Sequence, residues 1–339
     1  MKNDFKSMTT LRQGSGDAIL KKANAPLNKE IPTASNRSMI LILFLFTSLS
    51  VFSQPKQVRT DSLARLLSSS INEDTNKVKL LLEYYRCLFP TNLDSAMKVS
   101  KQALDISAKI NFGYGIIKGL NGMAVCYWYQ NDPGQAIPTF HEALSMAVKD
   151  NNIDLETMIL NNLGSYYGVL GVSDSAEKYH KMAVVSGSQL QDNSRYAKAV
   201  SDLATVYINK GNFIGAIQNI LEVQKVYETN NLNSELANSH NKLGMIYYEL
   251  NDFEKSVNAY RMALKINNLL GDVKIEMAIF LNMGLLYSQV KGDQDSARFF
   301  LTKTLRMAEE NKVEDTRLAA LVNLGNIAWK ENEIKQALE

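Results

Sequence analysis

The sequence is short of the residues that cross-link a fold, bind metals or give a domain one strong charge. Only two cysteines, Cys87 and Cys126, occur in 339 residues, too few for a disulfide framework. Each reads as a small buried apolar residue inside a helix. The three histidines, His141, His180 and His240, fall in separate segments, with no carboxylate or cysteine at ligand spacing. His180 and His240 stand where bulky packing residues belong. Basic and acidic residues nearly cancel, 37 against 35, and no basic stripe appears, which argues against nucleic acid as a partner of this region. There is no serine nucleophile elbow and no phosphate loop. Gly113, Gly115 and Gly119 have neither the preceding strand nor the spacing that a nucleotide loop requires. Catalytic residues, metals and cofactors are therefore not expected.

Long apolar runs are also scarce. The one continuous run covers residues 39–53, and no charge lies between Arg37 and Lys56. At this length it is short of the roughly 20 residues a spanning helix needs. It fits the apolar core of a secretory signal followed by polar Gln54, and the ending Phe52-Ser53-Gln54 resembles signal peptides of Bacteroidetes. Residues 1–38 then form a disordered leader, or Met39 is the true start. An uncleaved signal anchor is the alternative. Either assignment predicts an exported, periplasmic or membrane-associated chain.

What the sequence does have is a period. Ala124, Gly164, Ala204, Gly244 and Gly284 are spaced by 40 residues each, and Gly325 follows after 41. A large apolar residue precedes each of them. Tyrosines stand three residues after the first five, at Tyr127, Tyr167, Tyr207, Tyr247 and Tyr287. Twelve residues after the small position comes a second small residue, at Ala136, Ala176, Ala216, Ser256 and Ala337, displaced by one to Ala297 in the fifth copy. Periodicity of this length marks a solenoid. Apolar, small and tyrosine positions at i, i+1 and i+4 share one side of a helix, where the small residue admits a second helix. Breakers such as Asn131-Asp132-Pro133-Gly134, Gly171-Val172-Ser173, Gly211-Asn212, Asn251-Asp252 and Gly292-Asp293 end one helix and cap the next. Each unit reads as helix–turn–helix, with no strand.

This arrangement, clearest from Leu163 to Ala183 and from Leu243 to Ala263, resembles the tetratricopeptide repeat. The period is 40 rather than the usual 34, the closing proline is missing, and Leu120, Leu160, Val200, His240, Phe280 and Leu321 replace the family's tryptophan. Longer helices of this kind look like the subgroup in peptide-responsive bacterial regulators and kinesin light chains. The resemblance covers residues 77–339 and implies an all-α, right-handed superhelical solenoid of about six repeats plus a truncated last one. A linker and capping helix occupy residues 54–76, with the helix expected over Asp61–Ser70. The residues from Asp61 to Val78, with Leu93-Asp94-Ser95-Ala96, resemble the opening of sensor regions in Bacteroidetes histidine kinases and LuxR-type regulators. At the other end, the last repeat reads as turning at Glu331-Asn332-Glu333 and stopping at Glu339, so further chain is expected beyond it.

The candidate site is polar. Asn162, Asn282 and Asn323 each sit two residues before the small position, with Asp202 and Lys242 in that register between them. One residue earlier come Asn121, Asn161, Ser201 and Asn241. Asparagine is a poor residue for a helix interior, so its repeated use calls for a reason. A two-residue step rotates these groups by about 200° from the packing surface. The resemblance then places them on the concave groove, where such asparagines hold the backbone amides of an extended peptide. The alternative is that they hydrogen-bond neighbouring helices and tie repeats together. Ser165, Thr205, Met245, Asn326, Trp128 and Tyr248 are further groove candidates. Two functions fit: the exported sensory region of a larger bacterial signalling protein, binding a peptide or protein segment without catalysis, or a standalone exported scaffold for an envelope assembly. Membrane association would run through residues 39–53 or through sequence downstream.

Overall fold

The computed structural model describes residues 56–70 and 72–338; the leader, signal and anchor assignments for residues 1–53 lie outside them. Every regular element among the described residues is helical. Helix α1 (Lys56–Ser69) precedes six antiparallel pairs. These are α2 (Thr75–Leu88) with α3 (Leu93–Lys109), α4 (Gly113–Tyr129) with α5 (Pro133–Lys149), α6 (Ile153–Val169) with α7 (Ser173–Gly187), α8 (Ser194–Asn209) with α9 (Phe213–Thr229), α10 (Asn233–Glu249) with α11 (Phe253–Leu270), and α12 (Val273–Leu286) with α13 (Gln294–Glu310). A last helix, α14, runs over Glu314–Leu338. None of these helices is long and apolar enough to cross a membrane.

The turns explain why the chain reverses where it does. Each first helix from α4 to α10 ends on a left-handed residue, Asn131, Gly171, Gly211 or Asn251. The amide of the next residue reaches back to the carbonyl of the repeat tyrosine, as in Asp132 to Tyr127 at 3.0 Å and Asn212 to Tyr207 at 2.8 Å. This is the six-to-one bond of a Schellman ending. That same residue is then the N-cap of the second helix: the Asp132 side chain accepts from Gln135 N–H, Asn212 from Gly215 and Asp252 from Lys255. Two residues thus stop one helix and start the next. Asn131, not Gly134, supplies the left-handed position in its turn, and Gly134 lies inside α5 behind Pro133.

Close helix crossing follows from the small residues. A Cβ built on Gly244 would meet the Tyr260 ring at 2.3 Å, on Gly164 the His180 ring at 2.8 Å, and on Gly284 Leu301 at 2.6 Å. Ala124 shares a core cluster with Phe140, and Ala204 shares one with Ile220. The partner lies 16 residues after the small position in four copies and 17 in the fifth, where Leu301 answers Gly284. The extra residue is absorbed by a π-helical turn at Tyr287–Lys291, closed by Gly292 in the left-handed region. There the Asp293 amide bonds Tyr287 across six residues instead of five. Single π turns are the usual way a helix takes up one inserted residue, so the displacement seen at Ala297 and the 41-residue step to Gly325 have one cause.

Around these crossings the core is a train of small clusters rather than one centre. Leu155, Ile159, Leu163 and Tyr166 of α6 pack with Phe140, Ala143 and Ala147 of the preceding α5, so each repeat completes the core of its neighbour. At the N-terminal end Leu67 of α1 lies against the cluster formed by α2 and α3. At the other end α14 runs straight through Glu331-Asn332-Glu333, where the sequence reads as a turn. Glu331-Asn332-Glu333 holds neither glycine nor proline to break the helix. First helices of neighbouring repeats pack directly on one another along the whole array, whereas neighbouring second helices scarcely meet. The array therefore curves with its first helices on the inner side.

One repeat position tested at two places checks this packing. Gly244→Ala drives a Cβ into a fixed aromatic ring and should lower stability by about 1–3 kcal/mol. Gly325 has nothing within 4 Å of its would-be Cβ, so Gly325→Ala should be neutral or stabilise by up to about 1 kcal/mol through helix propensity. Urea melts showing the same sign for both substitutions would contradict the packing assignment.

Candidate functional site: the inner face of the first helices

The asparagine register resolves into a polar seam between repeats. Asn162 donates through Nδ2 to Oδ1 of Asn121 at 2.8 Å, and Asn282 donates to Asn241 at 3.0 Å. Asn161 donates to the Asp202 carboxylate at 2.7 Å. Lys242 donates through Nζ to both the carbonyl and the hydroxyl of Ser201, each at 2.9 Å. All four rungs join residues 41 apart, one repeat plus one residue. Two further rungs hold the same register: Arg195 forks onto Asp154, with Nη2 to Oδ2 at 2.9 Å, and the Tyr248 hydroxyl bonds Gln289. Asp154, Asn161 and their register mates are seven residues apart, close to two full helical turns, so the rungs line up where adjacent first helices touch.

The seam is deepest in the middle. The buried His180 ring meets Asn161 Oδ1 through Nδ1 at 2.8 Å, while the amide of Asn161 holds Asp202. Lys198 adds a bond to the same carboxylate at 3.0 Å. Burial pushes His180 down to about 4, with Asp202 opposing only in part, so the ring is neutral at neutral pH. Burial works against the charge of Asp202, but Lys198, the Asn161 amide and Lys242 outweigh it and hold the carboxyl below its ordinary value. Burial likewise holds Lys242 below the usual lysine range, opposed by Asp202. The group is a hydrogen-bonded chain across two repeats, satisfied at each link, as a buried polar network must be.

The remaining candidates divide. Asn323 bonds only its own helix, at the Ala319 carbonyl, and with Asn326, Ser288, Leu301 and Trp329 lines a 140 Å³ cavity at the last repeat. Trp128 is half-buried against Tyr166, their ring centroids 5.3 Å apart, inside the core. Ser165 is half-buried, and Thr205 and Met245 are exposed on the inner side of the seam. The repeat tyrosines are half-buried: Tyr167 stacks on Tyr179 at 5.3 Å, and Tyr287 on Phe300 at 5.4 Å. Sequence reasoning read Cys126 as buried but missed that its position, just before the repeat tyrosine, is buried in the other copies too, at Tyr166, Val206, Ile246 and Leu286. It also missed Asp154 and Arg195; pairing the sequence with itself at 41 rather than 40 residues would have found both. Among the described residues no group of histidine, cysteine and carboxylate side chains could hold a metal ion.

The seam makes a prediction about stability. Asn161→Ala strands the buried His180, leaves Asp202 with Lys198 alone, and should cost about 1–3 kcal/mol. Asn323→Ala removes only a bond within its own helix and should stay within about 0.5 kcal/mol of the parent. Equal effects of the two substitutions in thermal melts would show that the rungs contribute nothing.

With this geometry in hand, comparison with known proteins is informative about fold. The tetratricopeptide repeat family model matches residues 237–269, which cover most of α10 and of α11. No curated protein matches the sequence. Among solved structures, the apo form of RapI is similar with a TM-score of 0.61 at 12% identity, covering 77% of this chain and 94% of that one. A Rap protein complexed with competence and sporulation factor gives 0.56 at 15% identity, covering 81% and 80%. A STAND signal-transduction ATPase with a tetratricopeptide repeat sensor, from Pyrococcus horikoshii, gives 0.59 at 15% identity, covering 77% and 42%. The family model covers a single repeat, and helix order and solved neighbours agree on the fold: an all-α helical-repeat solenoid of the tetratricopeptide-repeat type.

Proposed function

We propose that the solenoid is a non-enzymatic binding module that takes an extended peptide or protein segment along the inner face of its first helices. The observation that carries this reading is the division of labour on that face. The seam uses polar side chains to join repeats, yet beside it stand exposed groups that bond no other repeat, Thr205, whose hydroxyl bonds only its own helix, and Met245, 38% exposed, among them. A rung such as Asn162 to Asn121 uses one donor and one acceptor of amides that each offer two of both kinds. The seam asparagines therefore keep capacity for the backbone of a ligand. Two of the similar structures are described as a Rap protein complexed with competence and sporulation factor and as a protein with a repeat sensor, which supports the same use of the fold here. The apolar run at residues 39–53 supports export, and together these features favour the sensory region of a larger bacterial signalling protein.

Site-specific photo-crosslinking in the full chain tests the face. A photoreactive residue at Thr205 or Met245 should capture the same partner segment, identified by mass spectrometry. The same residue at Ile214 or Phe299, which are 75% and 64% exposed on second helices, should capture none of it. Equal capture at all four positions would overturn the inner-face reading.

A further inference from the structure

Of the five residues that lie over the small positions, Phe140, His180, Ile220, Tyr260 and Leu301, one can take up a proton in mild acid. His180 is 2% exposed. A Cβ on Gly164 would meet Cγ, Cδ2 and Cε1 of its ring at 2.8 Å each, so the ring lies flat on α6. The order of hydrogen bonds fixes which ring nitrogen carries hydrogen. An ionised Asp202 can only accept, so Asn161 turns its Nδ2 to Asp202 and its Oδ1 to the ring. His180 therefore donates from Nδ1, and an added proton must go to Nε2. Among the described residues the Asn161 contact is the ring's one hydrogen bond, so Nε2 has no acceptor for that proton. The surrounding charges do not favour it either. Asp202 of α8 attracts it, Lys198 of α8 and Lys242 of α10 oppose it, and from α6 the ring meets the neutral Asn161 amide. Asp202 is moreover already engaged by Asn161 and Lys198. The joint beside this crossing also has room to give. α7 ends at Gly187 and α8 starts at Ser194, a connection of six residues, where the other described repeats are joined by two or three. A loop segment of this kind can absorb the backbone change of a hinge.

We propose that the crossing of α6 with α7 is an acid-released latch, which loosens the joint between the third and fourth repeats when His180 takes a proton. The proton enters at Nε2, the charged ring leaves its seat on Gly164 for water, and Asn161 loses the partner that orients it. The Asn161 to Asp202 rung, which joins α6 to α8, is then held at one end only. His180 binds its proton at about 4 in the closed array and at the ordinary 6.5 once the ring is free. The open form therefore binds more protons between these values, and closure weakens as pH falls through that interval. The opening constant should rise by about tenfold per pH unit there and level off below the closed-state value. Asp202 is held below its ordinary carboxyl value, so its charge persists across the interval and the histidine acts alone at this joint.

Native-state hydrogen exchange on the full chain tests the latch, read as protection factors so that the intrinsic pH dependence of exchange drops out. Between about pH 7 and about pH 4.5, protection in α6, α7 and α8 should fall by about tenfold or more beyond the fall in α12 and α13, where Leu301 holds the crossing. Burial also lowers His240 of α10, so the two histidines are separated by variants taken from the chain's own repeats. His180→Tyr copies the Tyr260 crossing and should abolish the difference. His240→Leu copies Leu160, which holds the same register in the third repeat, and should preserve it. Imidazole NMR on the parent needs no variant, and the His180 ring should titrate well below 6.5. A midpoint at the ordinary value, equal acid loss along the array, or an undiminished difference in His180→Tyr would each overturn the latch.

Discussion

In each of the five repeats from α4 to α13, a bulky side chain of the second helix lies on the backbone of the first, and the residue beneath it must be glycine or alanine. Tyr260 over Gly244, His180 over Gly164 and Leu301 over Gly284 are the same contact made by different chemistry. The contact sets the distance between the two helices, and that distance decides which neighbours the next pair can reach. One helix pair has too little apolar surface to stand by itself, and repeats gain their stability from neighbours. The clusters of α5 with α6 show how: the core of one repeat is closed by the next.

Because the core interlocks the second helix of one repeat with the first helix of the next, first helices approach each other on the inner side, and polar side chains join them there. The rungs at 41-residue spacing belong to that approach. A polar seam has a geometric preference that an apolar one lacks, since each amide or carboxylate accepts only a narrow range of partner positions. The rungs consequently fix the offset between repeats. The same chemistry leaves a hydrogen-bonding, partly charged inner surface. Architecture and the proposed binding surface share one row of residues.

The fold was legible because close helix crossing demands a small residue whatever surrounds it, so Ala124 to Gly325 announce the pairs without tertiary information. The turn at Asn131-Asp132 was legible for a similar local reason, since left-handed backbone and N-capping both favour such residues. The asparagines were harder. Their register showed that they avoid the packing face, but an amide serves a peptide and a neighbouring helix equally well. Only the contact across repeats shows Asn162 holding Asn121. The burial of Tyr166 was illegible because its position holds cysteine, valine, isoleucine and leucine in the other copies, with no residue type in common. The expected turn after Lys330 failed because Glu331-Asn332-Glu333 holds neither glycine nor proline to break a helix, and α14 runs on through it to Leu338.

The central claim is that stability passes from repeat to repeat through these crossings, and native-state hydrogen exchange tests it most directly. In Gly244→Leu, which overpacks the crossing of α10 and α11, protection should fall first in those two helices. It should fall next in α8, α9, α12 and α13, and least in α2 and α3. A uniform loss of protection from α2 to α14 would contradict the account, because it would mean the array unfolds as a single unit with no nearest-neighbour coupling.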